Sequence, residues 1–277
     1  MTSRQKIEGG IGAIGGIALV VLGVAAGAGW AATPDTRDGI QYGDAVVMGN
    51  GTARVYIDLR DGVPVELGIA LSEEAMTGLP GHHSPGGIEL EPGHTMFFST
   101  PEMPAVNPTP YRHVLLGWNP GGHEPPGVYD VPHFDFHFYT TSNEDRVAID
   151  PAVDAAFAQK ASNHPTGAAA PEGYIAIPGA VPLMGAHWVD PTAPELNGQP
   201  FTKTFLFGSW DGELIFTEPM ITKAYLETRP TYRQRIPVPE STVAGYRPSA
   251  YRIYFDETTR EYRVALTDFV WRDAASR

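Results

Sequence analysis

Apolar and polar positions alternate at a period of two along much of the chain. Over 53–59, Val55 and Ile57 alternate with Arg54, Tyr56 and Asp58, the pattern of a half-buried strand. Asp61-Gly62 follows as a two-residue hairpin turn, and 63–71 supplies the returning strand despite Pro64 near its start. Ser72 ahead of Glu73, Glu74, Ala75 and Met76 predicts an N-capped helical turn closed by Gly78 and Pro80. Further strands are predicted at 94–99, 112–118, 133–140, 201–208, 213–218, 251–255 and 261–270, with Asp211-Gly212 turning the hairpin after 201–208. Only 151–162 reads as a longer helix, through Ala152, Val153, Ala155, Ala156, Phe157 and Ala158. Many short strands, frequent turns and one or two short helices predict a mainly β chain built as an antiparallel sandwich or barrel.

The amino terminus departs from this pattern. Arg4 and Lys6 precede a charge-free run of 24 residues from Gly9 to Ala32, the charged-then-apolar order of an export segment. At about 1.5 Å per residue, such a run is long enough to cross a hydrocarbon layer of about 30 Å. Its length favours an uncleaved transmembrane anchor, whereas Ala26-Gly27-Ala28 and Trp30-Ala31-Ala32 offer the small residues of a cleaved signal peptide. Basic residues before the run and Asp35, Asp38 and Asp44 after it place the amino end inside and the bulk outside. The expected organisation is an anchor or signal at 1–33, a tether and first strand at 34–50, and one β-rich extracytoplasmic domain at 51–277. Such a protein is membrane-anchored or secreted. The Gly12 to Gly16 spacing suits a helix–helix contact and leaves a homo-oligomer open, but in a run this rich in Gly and Ala such spacings arise by composition and carry little weight.

Composition narrows the chemistry. With 42% hydrophobic residues the chain can bury a core, which excludes wholesale disorder. The absence of cysteine excludes disulfides, thiolate-held zinc, iron–sulfur clusters and thiol catalysis, so any metal must sit on His, Asp or Glu. A formal net charge of -13 repels polyanions and removes nucleic acid from the expected partners. Ser84 and Ser209 lack a nucleophile elbow, and no phosphate-cradling or dinucleotide fingerprint is present.

The densest chemistry lies in Val131-Pro132-His133-Phe134-Asp135-Phe136-His137-Phe138-Tyr139. A strand there puts Phe134, Phe136 and Phe138 on a core face and His133, Asp135 and His137 on the other, which must line a cavity or meet solvent. Neighbours two apart are about 7 Å apart at Cα and can share an ion; His133 and His137, about 13 Å apart, cannot easily do so. His187, after Met184-Gly185-Ala186, and Glu218 are two further candidates. Glu218 follows Leu214 and Phe216 on an apolar strand face, where a carboxylate must be paired, protonated or metal-bound; the opposing reading ends that strand at Pro219 and turns Glu218 into water. His82, His83 and His123 sit in Gly/Pro-rich loops, covering a site or facing solvent, and His113 reads as structural.

Three blocks carry a resemblance: 121–139 with its Pro-His-Phe-Asp-Phe-His-Phe-Tyr core, Met184-Gly185-Ala186-His187-Trp188-Val189-Asp190, and 208–213 leading to Glu218-Pro219-Met220. Together with 49–53 and Leu79-Pro80, they make the chain resemble a family of uncharacterised exported bacterial and archaeal proteins, a domain of unknown function typified by a sigma-factor-controlled Thermus protein. That resemblance spans most of 45–225 and implies an extracytoplasmic domain.

The functional expectation rests on the residues themselves. One divalent metal is expected on His137, His187 and Glu218, with Asp135 and His133 as further ligands or their supports. Zinc is the first choice and manganese or iron the second, because the donors are imidazole and carboxylate. A metal-dependent hydrolase or lyase acting on an unidentified small molecule would follow; the alternative is a non-enzymatic envelope protein or ligand-binding module. Binding is expected to fade below about pH 6, since an unperturbed histidine titrates near 6.5.

Overall fold

The structure, a computed structural model, describes residues 38–91 and 93–276; the charge-free run and its anchor or signal lie outside the described residues. The described residues open with β1 (Gly39–Tyr42), β2 (Val46–Met48), β3 (Gly51–Arg60) and β4 (Val63–Ser72). It continues through β5 (Ile88–Glu91), β6 (His94–Ser99), β7 (His113–Asn119), β8 (His133–Tyr139), β9 (Ile175–Ala176), β10 (Ala186–Val189), β11 (Lys203–Trp210) and β12 (Glu213–Thr222). Last come β13 (Thr231–Arg235), β14 (Gly245–Arg247), β15 (Ala250–Asp256), β16 (Glu261–Thr267) and β17 (Val270–Arg272). Three short α-helices accompany them: α1 (Asn143–Val147), α2 (Phe157–Ser162) and α3 (Lys223–Glu227).

The chain is mainly β, with antiparallel pairing throughout the paired strands. A seven-stranded sheet runs β1-β3-β4-β16-β15-β13, with β2 also on β3. An eight-stranded sheet runs β5-β6-β7-β8-β12-β11-β10-β9, and β14 pairs with β17. The early and late strands therefore build one sheet, joined where β4 pairs with β16, and the middle of the chain builds the other. Both two-residue turns have the geometry their sequences ask for: Asp61 and Gly62 lie at φ 52 and 72, Asp211 and Gly212 at φ 49 and 88. Positive φ at both central residues matches the twist of the flanking strands.

One hydrophobic cluster takes Ile57 and Ile69 from the first sheet, Val264 from β16, and Val114, Phe134, Phe136 and Phe138 from the second. The phenylalanines of β8 thus face the shared core, as the alternation predicts. The opposite face of β8 is neither edge nor solvent. β8 is central, between β7 and β12, and all seven of its residues are buried. The connections 120–132 and 140–202 supply Tyr129, Ile149 and Phe201, which pack with Leu206, Met220, Leu115 and Phe216 over that outer face.

Several predicted elements shift for identifiable reasons. The helix expected over 151–162 is confined to Phe157–Ser162, because the Asp150 and Asp154 side chains accept from the backbone N–H groups of Ala152 and Ala156 and hold turns there. With α1 and α3, the described helices number three rather than one or two. Ser72 does precede a helical turn, of the 3-10 kind, but its hydroxyl accepts from the N–H of Thr52 instead of capping. β12 continues through Pro219 to Thr222, so Glu218 is an interior strand residue. Leu214 does not share its face. The register shift opposite Gly208 and Ser209 inserts Ile215 as an extra residue, sending Leu214 to the shared core and Phe216 to the outer face.

Candidate metal centre

Strand register assembles the site. Thr217 pairs with Phe138 and Met220 with Asp135, which sets Glu218 opposite His137 on the outer face. His187 arrives from β10, two strands from Glu218, and pairs with Gly208. Gly208 in turn pairs with Phe216, and a Cβ at Gly208 would lie 1.8 Å from the Phe216 ring. The missing side chain is therefore what lets that ring lie across β11. The ring packs against both histidines, with centroids 5.1 Å from His137 and 5.2 Å from His187.

Glu218 divides its carboxylate between the two imidazoles. Oε1 lies 3.2 Å from Nε2 of His137, and Oε2 lies 3.6 Å from Nε2 of His187. One ligand atom from each of the three residues falls within 4.8 Å of the others, close enough for one ion to touch all three. His137 and Glu218 are only 1% and 2% exposed, and Glu218 Oε2 and His137 Nε2 have no hydrogen-bond partner. Buried polar atoms without partners are costly, and a cation held by the three donors would satisfy them together.

His133 and Asp135 do not join that triad. They form a second group with His123, again with ligand atoms within 4.8 Å of one another. Asp135 Oδ1 lies 3.1 Å from His133 Nε2, Asp135 Oδ2 lies 3.8 Å from His123 Nε2, and Asn119 Nδ2 donates to Oδ2 at 2.6 Å. The sequence marked His123 only as a loop residue that covers a site or faces solvent. Gly122 places it: at φ +75 its backbone turns so tightly that a Cβ would meet the Tyr129 carbonyl oxygen at 2.0 Å. The sequence sign of that turn was Gly121-Gly122 directly before the histidine. His94 ties the same loop down, its Nδ1 donating to the Gly122 carbonyl at 3.0 Å.

Electrostatics follow from burial. Desolvation lowers His137 to about 3, with His187 and Arg146 adding to the effect against the pull of Asp135. Burial likewise lowers His187 to about 4, helped by His123. Burial first, then the charge of Asp135, pushes Glu218 well above the usual carboxylate range. Asp135 goes the other way: burial would raise it, but His133 beside it outweighs burial and holds it well below the usual range. Burial therefore favours neutral imidazoles and a protonated carboxyl in the ion-free triad, a set with two nitrogen donors for a cation.

His123, Asp135, His187 and Glu218 line one cavity of about 440 Å³, whose wall is otherwise largely apolar, with Ile177, Val181, Met184, Leu206 and Met220. No Lys or Arg lines it among the described residues. No family model, curated protein or solved structure matches this chain.

Proposed function

We propose that the chain is a divalent-metal-dependent hydrolase or lyase, a β-sandwich domain acting on a small, largely apolar molecule that offers an oxygen to the metal. One observation carries this reading: three protein donors, His137, His187 and Glu218, converge where Glu218 and His187 line a cavity large enough for a small ligand. Two imidazoles and one carboxylate are a donor set for zinc, with manganese or iron the second choice. A cation on three protein ligands keeps a coordination position for water or substrate and lowers the pKa of bound water. The protein's part is to hold the imidazoles neutral, to orient them against Phe216 and to surround the site with apolar side chains. An acidic wall without Lys or Arg favours neutral substrates over polyanions, and nucleic acid is not among the proposed partners.

The export segment supports action outside the cytoplasm, from a membrane anchor or after secretion. The resemblance of 121–139 and 184–190 to a family of exported proteins is in keeping with that reading.

Burial favours a second reading. His137 and Glu218 are so enclosed that a cation there would also stabilise the fold, which a purely structural metal would do without catalysis. Chelator-stripped protein reloaded with Zn2+, Mn2+ or Fe2+ and assayed on small apolar esters and lactones separates the two. Turnover in the loaded protein and its loss in His187→Ala is the expected result. Metal-dependent stabilisation with no turnover and no ligand uptake would leave the structural reading. Equal metal content in His187→Ala and the parent would remove the centre altogether.

A further inference from the structure

We infer that His123, His133 and Asp135 hold a divalent cation of their own, beside the one proposed at His137, His187 and Glu218. The argument begins with ring tautomers. Nδ1 of His133 lies 2.7 Å from the Val131 carbonyl oxygen, and Nδ1 of His123 lies 2.8 Å from that of Glu124. A carbonyl only accepts, so each Nδ1 carries the hydrogen, and in the neutral ring each Nε2 presents a lone pair. Both Nε2 atoms point at the Asp135 carboxylate, at 3.1 Å and 3.8 Å. With both rings neutral, three acceptors would face one another around a buried point.

Such an arrangement needs positive charge. His133 and Asp135 are 0% and 1% exposed, and neither His133 Nε2 nor Asp135 Oδ1 has a hydrogen-bond partner. A proton on one ring would satisfy one contact, whereas a cation would satisfy His133 Nε2 and both oxygens of Asp135 together. Backbone carbonyls gripping the far ring nitrogens are the supports that fix ligating histidines, and Asn119 plays the same part for the carboxylate. Gly117 keeps the carboxylate uncrowded on its β7 side, where even a Cβ would stand 3.3 Å from Asp135 Oδ2.

His123 and Asp135 line the cavity that His187 and Glu218 also line, so both groups open on one space. Asp135 and His137 are two residues apart on β8, about 7 Å at Cα. Two cations so placed can divide their labour, one polarising a substrate oxygen while the other lowers the pKa of a bound water. That division rests on the function proposed above; the second site itself does not.

The test is metal stoichiometry, by elemental analysis and by Zn2+ titration against a chromophoric chelator, on the purified full-length protein and on His123→Ala, Asp135→Asn and Glu218→Gln. The parent should bind about two equivalents, and each variant about one. Circular dichroism checks that each variant is folded, and His123, in a loop, is the substitution least able to disturb the sheet. A single equivalent in the parent that survives His123→Ala and is lost in Glu218→Gln overturns this inference and keeps the proposed centre. A single equivalent with the reverse behaviour supports this site and removes the other. No bound Zn2+ overturns both and leaves His133 and Asp135 as a buried side-chain pair.

Discussion

Glu218 lies directly across the strand ladder from His137, with 3.2 Å between Oε1 and Nε2 at a point almost closed to solvent. An ionised Glu218 beside a protonated His137 would form an ion pair, but burial drives both the other way, toward the neutral carboxyl and neutral imidazole. Neutral partners give up little by separating around a cation. The relationship therefore makes metal-free protein and metal-loaded protein respond oppositely to the same substitution.

Glu218→Gln should stabilise the metal-free protein at pH 7. Glu218 has a folded pKa raised above its ordinary 4.5, so its contribution is fully present below 4.5 and is lost as pH rises toward the folded value. Glutamine removes that loss. His137 and His187 act with the opposite sign, costing stability as pH falls from 6.5 toward 4 and 3. Thermal melts in chelator should show the variant above the parent at pH 7 to 8 and the gap closing near pH 4.5. A variant less stable than the parent at pH 8 would contradict the raised carboxyl.

Zinc affinity should rise with pH over the range in which Glu218 is protonated in the free protein, by about tenfold per pH unit for the one proton released there. His137 and His187 release none there, because they are already neutral. Acid competition by these imidazoles should set in near pH 4, lower than the value near 6 that unperturbed histidines would give. Calorimetry in buffers of different ionisation enthalpy counts the protons. An unchanged pH slope in Glu218→Gln would show that another group supplies them.

Gly208→Ala should weaken metal binding without touching a ligand. Its Cβ would fall 1.8 Å from the Phe216 ring, which is buried against His137 and His187 and cannot yield freely. Overpacking of this kind costs about 1–3 kcal/mol. Chelator competition should register a loss of affinity together with a lower Tm. Full affinity in a destabilised variant would mean that the ring does not orient the histidines.

Stripping the metal should lower thermal stability reversibly. An ion present at about 100 times its Kd adds about 2.7 kcal/mol to the native state, or roughly 5–10 °C for a domain of this size. His187→Ala should lose the part of that increment that its own site supplies, and scanning calorimetry with and without Zn2+ measures it. An equal increment in both proteins would place the stabilising ion elsewhere.

Period-two alternation and the Asp-Gly turns determined the strands around 53–71, 133–139 and 203–218, because side-chain direction in a strand and backbone sign in a turn are local properties. The same local logic put Phe134, Phe136 and Phe138 toward a core and singled out His133, Asp135, His137, His187 and Glu218 as candidate donors. Short strands such as β10 and β13 have too few residues for a period of two to show in the sequence. Grouping was beyond the sequence. His137 and His187 are brought together by register across β8, β12, β11 and β10, and by a glycine that makes room for a ring; His133 and Asp135 are claimed by His123 through the tight turn at Gly122. The continuation of β12 through Pro219, which buries Glu218, depends on strands on both sides accepting it. Residue type and strand alternation identify His133, Asp135, His137, His187 and Glu218 as candidate donors and put the three on β8 on one face, but leave out His123. Only the tertiary structure decided that they form two groups and not one, because the distance between separated segments is set by strand pairing and packing, and no local preference encodes it.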